Sequence, residues 1–502
     1  MTLGSDVRAL LSQALTVYTG SPAEDRLRAA TARLDEPLRV AIAGKIKAGK
    51  STLLNAIVGE ELAPTDAGEC TKIVTWYRDG LTYLARVRSN GEVKQVPFRK
   101  EEGAVDVDVS AYRAEDIEAI EIEWPSAALR KMTIIDTPGI GSLSADVSER
   151  THAFLTPDAD EPTAADAVLY LMRHVHSEDV RFLEAFHDDE VAQPSPINAI
   201  GVLSRADELG AARSNAMETA ARIATRYRSD RSVRRLCQTV VPVAGLLAQS
   251  AQELREDEFK ALASIAQAPA EHIAELLLTA ERFISGETTV PLASVEREHL
   301  MFRFGLYGVR VAQALIREGA TTSSAALSTE LVARSGLKEL ENVLMSQFAE
   351  RSDVLKARSA IFAVESALRE LPAPGTEKLT SALERIQASA HEFAEIRLLN
   401  ALRSGGLKLR EQEEAEAEQL LGAEGTRPSA RLGLPREADA GAIKDAATTA
   451  LRRWRARAES PMSSREVADA SEVLARTCEG LIAVASQPGG ADSLVSSAGT
   501  QG

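Results

Sequence analysis

One stretch near the start of the chain, Gly44-Lys45-Ile46-Lys47-Ala48-Gly49-Lys50-Ser51, limits what the remainder can fold into. It follows an apolar run, Leu38-Arg39-Val40-Ala41-Ile42-Ala43, and opens into Thr52-Leu53-Leu54-Asn55-Ala56-Ile57, which reads as a helix. Strand, then Gly-x4-Gly-Lys-Ser, then helix is the context that a phosphate-binding loop requires. The glycines let the backbone turn tightly, so that its N–H groups point inward around an anion. The helix N-terminus, with Thr52 in its first turn, adds a positive dipole end to the same spot. Lys50 then brings a point charge to the β- and γ-phosphates of a nucleotide, and the Ser51 hydroxyl is placed to ligate Mg²⁺. The expectation is an α/β head with a mixed, mostly parallel sheet.

After this helix comes a turn-rich segment, Leu62-Ala63-Pro64-Thr65-Asp66-Ala67-Gly68-Glu69-Cys70-Thr71-Lys72. Strand-like runs follow at Ile73 to Tyr77, Leu81 to Val87 and Glu92 to Phe98, the last two across an Asn90-Gly91 turn. Thr71, in a loop just before a strand, stands where nucleotide-dependent switches sense Mg²⁺ and the γ-phosphate. A second motif ends the apolar run Met132-Thr133-Ile134-Ile135 with Asp136-Thr137-Pro138-Gly139. Asp136 would reach the metal through water, and Gly139, lacking a Cβ, would bring its amide to the γ-phosphate.

Two further strands are expected at Ala167 to Met172 and Ile197 to Leu203, the second running into Ser204-Arg205-Ala206-Asp207. Guanine readers place Asn/Thr-Lys-x-Asp at such a point. The Asp207 carboxylate would accept the guanine N1–H and N2 amine, while the stem of Arg205 covers the ring. That favours GTP and disfavours ATP. Ser204 departs from the pattern, because a hydroxyl cannot replace both ends of an asparagine amide, so nucleotide affinity is expected to be modest. Thr239-Val240-Val241-Pro242-Val243-Ala244-Gly245 closes the series, with the amides of Ala244 and Gly245 expected near guanine O6. His174-Val175-His176 lacks a carboxylate or cysteine at convincing spacing for a metal, and Cys70 reads as a packing or neutral residue in preference to a redox-regulatory one.

From about residue 290 the chain reads as helical. Val354, Ala357, Ile361, Val364, Leu368 and Leu371 alternate three and four apart, the seam of a bundle helix. The pattern stops at Pro372-Ala373-Pro374-Gly375 and resumes at Leu379, Ala382, Ile386 and Phe393, which predicts an antiparallel hairpin. Residues 403–441 are richer in Gly, Pro and Glu and read as partly loop. Before the P-loop strand, Val7, Leu10, Leu11, Ala14 and Leu15 mark another helix, and Ser21-Pro22-Ala23-Glu24 starts a second. At 502 residues the chain exceeds one core. No apolar run approaches the roughly 20 residues of a membrane span, no secretory signal is visible, and three scattered cysteines argue for a reducing cytoplasm. The net charge of −16 argues against nucleic acid as a partner.

Gly-x4-Gly-Lys-Ser-Thr-x2-Asn-Ala, Pro64 with Thr71-Lys72, Asp136-Thr137-Pro138-Gly139 and Ser204-Arg205-Ala206-Asp207 together resemble the bacterial dynamin-like GTPases. Ala63-Pro64-Thr65-Asp66-Ala67, Asp146-Val147-Ser148-Glu149-Arg150-Thr151 and Phe302-Arg303-Phe304-Gly305-Leu306-Tyr307-Gly308 are similar to the isoniazid-inducible proteins of mycobacteria, the IniC-like branch. The resemblance implies a GTPase head over 37–288 that hydrolyses GTP to GDP and phosphate with Mg²⁺. It implies a neck that gathers residues 1–36, a helical neck and trunk over 289–486 with a lipid-contacting tip, and a tail over 487–502 whose Gly and Ser content reads as disordered. It further implies nucleotide-dependent self-association, a related dynamin-like partner, and remodelling or fusion of membrane from a peripheral position at the inner face of the plasma membrane. The alternative is a soluble regulatory GTPase whose helical half binds a protein partner. Related GTPases tend to hold Ser or Asn at the position of Lys47, helping a monovalent cation against the phosphates. Lys47 either replaces that cation with its ammonium, or points to solvent or only assists ground-state binding. The Arg452-Arg453-Trp454-Arg455-Ala456-Arg457 cluster reads either as a face for anionic lipid or as a solvated helix face.

Overall fold

The structure is a computed structural model that describes residues 3–64, 73–101, 104–113, 116–138, 165–173, 198–234, 236–348, 351–404 and 406–486. Its strands are β1 (Leu38–Gly44), β2 (Thr75–Arg78), β3 (Leu84–Ser89), β4 (Glu92–Val96), β5 (Phe98–Glu101), β6 (Ala104–Val107), β7 (Ile117–Glu123), β8 (Met132–Asp136), β9 (Ala167–Met172), β10 (Ala199–Ser204) and β11 (Val240–Val243). One sheet runs from edge to edge as β11, β10, β9, β1, β8, β2, β7, β3, β4, and β5 pairs with β6 apart from it. From β11 through β8 every pairing is parallel. The direction reverses between β8 and β2, and the hairpin of β3 and β4 closes the far edge. The chain is thus an α/β P-loop head on a mixed, mostly parallel sheet, followed by helices.

Burial on both faces explains the parallel half. Every residue of β9 and of β10 is buried, as uninterrupted apolar runs require when helices cover both sides. In β1, Val40 and Ile42 join Leu53, Leu54 and Ile57 of the following helix α3 (Lys50–Val58), whereas Ala41 and Ala43 join Ile135, Val168 and Tyr170 on the other face. Strands β5, β6 and β7 depart from the sequence expectation, β6 as an unexpected antiparallel partner of β5. The run Glu92 to Phe98 breaks at Pro97, which offers no N–H to a ladder, so β4 stays in the sheet and β5 leaves it. Strand β7 was not anticipated, because glutamates interrupt its apolar alternation. Those carboxylates are spent across the strands: Arg88 donates to Glu121 at 2.6 Å, and Arg86 to Glu123.

The N-terminal helices α1 (Leu3–Val17) and α2 (Ala23–Arg33) do not pack on the sheet. Their apolar stripe of Val7, Leu10, Leu11, Ala14, Tyr18 and Leu27 shares a core with Ala357, Ala360, Ile361, Val364 and Ala367 of the helix Ser352–Glu370. Leu379 and Leu383 of the helix Thr376–Ser389 complete it across the expected proline-bearing turn. The Arg26 guanidinium pairs with Glu370 at 2.7 Å, and Arg33 with buried Asp166 at 2.7 Å. A last bundle, from His391 to Ala485, closes around Trp454. Its indole donates to Glu416 at 3.1 Å, and Arg453, Arg455 and Arg457 pair with Glu416, Glu479 and Glu413. Helices beyond residue 288 also touch the sheet: Leu337, Leu340, Leu344 and Phe348 lie in the same core as Val40 and Ile42. No described helix is long and apolar enough to cross a membrane.

Candidate functional site

The carboxyl ends of β1, β8, β9, β10 and β11 converge on one edge of the sheet, and the loops there assemble a cavity of about 300 Å³. Ala48, Gly49, Thr52 and Leu53 line one end of it, from the P-loop and α3. Ser204, Arg205, Asp207 and Glu208 line the other, with Leu171, Val202 and Val243 as its apolar floor and Gly245, Leu246 and Phe302 completing the wall.

At the phosphate end, β1 runs into the loop through Gly44, whose φ is 148°. A Cβ there would stand 2.6 Å from the Leu171 carbonyl oxygen, so β1 and β9 can pair this closely only without a side chain. Lys45 and Ile46 are half-buried, and Lys47 is exposed with a left-handed backbone, φ 61°. The Lys50 ammonium is buried, folded back to donate to the carbonyls of Gly44 at 3.3 Å and Lys45 at 3.4 Å. The Ser51 hydroxyl donates to Asp136 Oδ2 at 3.4 Å, joining the loop to the end of β8. Thr137 donates its hydroxyl to the Ile42 carbonyl at 2.9 Å and so fixes the exit of that strand. Burial first, and then the Asp136 charge, keep the Tyr77 phenol protonated far above its usual range. A hydroxyl and a carboxylate side by side form the hard oxygen set that Mg²⁺ accepts. Thr71 and Gly139 lie outside the described residues, as do Cys70, His174 and His176.

At the base end, Asp207 sits in a short 3-10 turn, Ala206–Glu208, and is 8% exposed. Burial raises its carboxyl to about 6, helped by Glu208 and opposed by a backbone N–H and Arg205. Arg205 takes a left-handed backbone, φ 51°, and donates to Glu208 at 2.9 Å. The Ser204 hydroxyl donates to the Met172 carbonyl at 3.3 Å and thereby ties β10 to β9. Gly245 begins the helix Gly245–Gln252 at the cavity. Ala244 is buried behind it, its N–H donated to the Ser335 carbonyl at 2.8 Å.

The sequence does not mark three further residues as part of the site. Asn55, fully buried in α3, accepts the N–H groups of Leu62 (3.0 Å) and Ala63 (2.8 Å) and donates to the Ala63 carbonyl (3.0 Å). It clasps the segment that leads to Thr71. Leu246 and Phe302, 37% and 68% exposed, form the outer wall of the cavity. The signal for Phe302 was its place off the buried stripe of Leu300, Phe304, Tyr307 and Val311, beside a glycine in mid-helix.

A family model described as the dynamin family matches residues 40–203. The isoniazid-induced protein IniC of Mycobacterium tuberculosis, in strains CDC 1551 / Oshkosh and H37Rv, is 38% identical over 493 residues, covering 96% of this chain and 99% of that protein. A bacterial dynamin-like protein of Nostoc punctiforme is 30% identical over 156 residues, 27% of this chain and 22% of that one. Among solved structures, an oligomerised bacterial dynamin pair aligns over 95% of this chain and 73% of that chain at 14% identity, with a TM-score of 0.32, too loose a superposition to add to the sequence match.

Proposed function

The chain belongs to the dynamin family, in the branch of IniC, and on that premise we propose that it binds GTP in the cavity and hydrolyses it to GDP and phosphate. The observation that carries this reading is a single cavity with P-loop residues at one end and buried Asp207 at the other. Its ends suit the phosphates and the guanine of one nucleotide. Lys50 would leave the Gly44 and Lys45 carbonyls for phosphate oxygens, a stronger charge-assisted contact. Ser51 and Asp136 would hold Mg²⁺, which when bound neutralises charge on the β- and γ-phosphate oxygens. Thr71 would hold the attacking water, and the Gly139 N–H would meet the γ-phosphate. Asp207, ionised, would accept two guanine N–H bonds, and Ser204 would stabilise the strand end without reaching the base. The test is hydrolysis of GTP against ATP by the wild type and Lys50→Ala. The reading predicts GTP turnover that Lys50→Ala abolishes, and equal turnover of ATP would overturn it.

In keeping with the family, heads would associate in a nucleotide-dependent way, with a second copy or a related dynamin-like partner, and the helical half would contact membrane peripherally and remodel it. One observation favours the other reading, a regulatory GTPase with a protein partner. Arg453, Arg455 and Arg457 are each already paired with a glutamate of their own bundle, which leaves them little charge for anionic lipid. Co-sedimentation with anionic liposomes, with and without a GTP analogue, separates the two. Nucleotide-dependent pelleting supports membrane work, and none at all supports the protein partner.

A further inference from the structure

A large aromatic that lines a cavity while remaining mostly exposed needs a reason to be there, and Phe302 is 68% exposed. It belongs to the helix Ser294–Arg317, in which its near neighbours Leu300, Phe304 and Tyr307 are buried against the head and Met301 and Leu306 are partly buried. That helix is broken at Gly305, with φ 63° and ψ 173°, a conformation essentially restricted to glycine. The break is built in. The buried Ser250 hydroxyl donates to the Arg303 carbonyl at the kink, the position where a straight helix would have supplied a backbone N–H. Arg303 anchors the same turn from its other side, donating to buried Glu258 at 3.0 Å. The kink also lies directly beside the base-reading carboxylate: a Cβ on Gly305 would stand 3.9 Å from Asp207 Oδ2 and 3.9 Å from Leu246 Cδ2.

We propose that Phe302 is the base-stacking wall of the nucleotide site, held over the cavity by the Gly305 kink, so that a guanine base is covered by a residue from outside the guanine-reading motif. This rests on the reading of the cavity as a guanine nucleotide site. An exposed phenyl ring costs solvation in the empty protein and recovers it when an aromatic base closes over it. Arg205 and Phe302 line the same cavity, so the phenyl ring adds an aromatic surface for the base to the cover that the Arg205 stem provides. Stacking of this kind is indifferent to the exocyclic groups that Asp207 reads, so the two residues divide affinity from selectivity.

The test is calorimetric titration of GDP and of IDP into wild-type protein, Phe302→Ala, Phe302→Tyr and Lys50→Ala. Phe302→Ala should bind both nucleotides roughly 5- to 150-fold more weakly, by the same factor for each, since stacking on an aromatic ring has that weight. Phe302→Tyr should restore near-wild-type binding, and the exposure of the side chain predicts unchanged melting for both variants. If Phe302→Ala binds GDP like the wild type while Lys50→Ala does not, the nucleotide reading stands and the stacking role is wrong. If Phe302→Ala keeps GDP affinity but loses only the dependence of turnover on protein concentration, the ring is a contact between heads and the proposal is likewise overturned. If the wild type binds neither nucleotide, the reading beneath the proposal falls and the proposal falls with it.

Discussion

Replacing Asn55 by alanine isolates the clasp between α3 and the segment that leads to Thr71. The side chain is fully buried and meets three backbone groups of Leu62 and Ala63, residues that are themselves fully buried. Alanine reaches none of them. Two N–H donors and one carbonyl are then left without that partner, and each unmet buried group costs about 1–3 kcal/mol. The floor of the sum is therefore about 3 kcal/mol, before any cavity cost from the lost amide. The Leu62 carbonyl still accepts the Val105 N–H at 2.9 Å, so the segment should loosen locally while the sheet stays folded. Amide hydrogen exchange reads this directly. The Leu62 and Ala63 amides should exchange about a hundredfold faster or more in Asn55→Ala, while amides of β9 keep their protection. GTP turnover should fall in kcat more than in nucleotide affinity, because the phosphate loop is untouched and only the route to Thr71 is loosened. If both amides stay as protected as in the wild type, the clasp is not what holds this segment, and the reasoning is refuted.

Asp207 gives a pH prediction. In the folded protein its carboxyl titrates at about 6 instead of 3.8, because burial disfavours the charge. Its contribution to folding stability is therefore fully present below pH 3.8 and is lost as the pH rises through about 6. Guanine needs the ionised form, so GDP affinity should fall about tenfold per pH unit below that point, whereas Asp207→Asn should prefer xanthosine nucleotides and show no such slope; a flat wild-type profile from pH 7 to 5 would contradict this. Lys50→Ala should abolish nucleotide binding, but Thr71→Ala should retain much of it and lose hydrolysis, as measured by titration alongside phosphate release. Equal loss of binding in both would remove Thr71 from the switch. If the exposed Lys47 takes the place of a monovalent cation, turnover should be indifferent to replacing K⁺ by a large organic cation, and Lys47→Ala should lower kcat roughly 10²–10³-fold. A potassium-dependent wild type would sink that role.

What could be read from the chain was whatever one local segment encodes completely. The P-loop, Asp136 and the Ser204–Asp207 turn each combine a strand, a turn and a side chain within a few residues, and the seam of the helix Ser352–Glu370 repeats at fixed spacing. Strand β7 was hidden because its polarity answers to arginines on β2 and β3, which alternation cannot reveal. Asn55 was legible as part of a motif but not as a clasp, since its partners lie beyond the end of its own helix. Phe302 and Leu246 were illegible as cavity walls for a related reason. The cavity draws on residues from Ala48 to Phe302, and only the folded sheet edge brings them together.

The shared core of α1, α2 and the helix Ser352–Glu370 imposes an order on biosynthesis. Arg26 and Glu370 are separated by 344 positions along the chain. At roughly 5–20 residues per second, a ribosome needs about 17–70 s to cover that distance. Throughout this interval Leu10, Leu11, Tyr18 and Leu27 have no native core to enter, although the whole sheet is being made. The Asp166 carboxylate, synthesised long before Glu370, gives Arg33 an early tether to the head. Helices α1 and α2, made before the sheet, are thus packed after it, and the nascent chain must shelter their apolar stripe until the helix Ser352–Glu370 arrives.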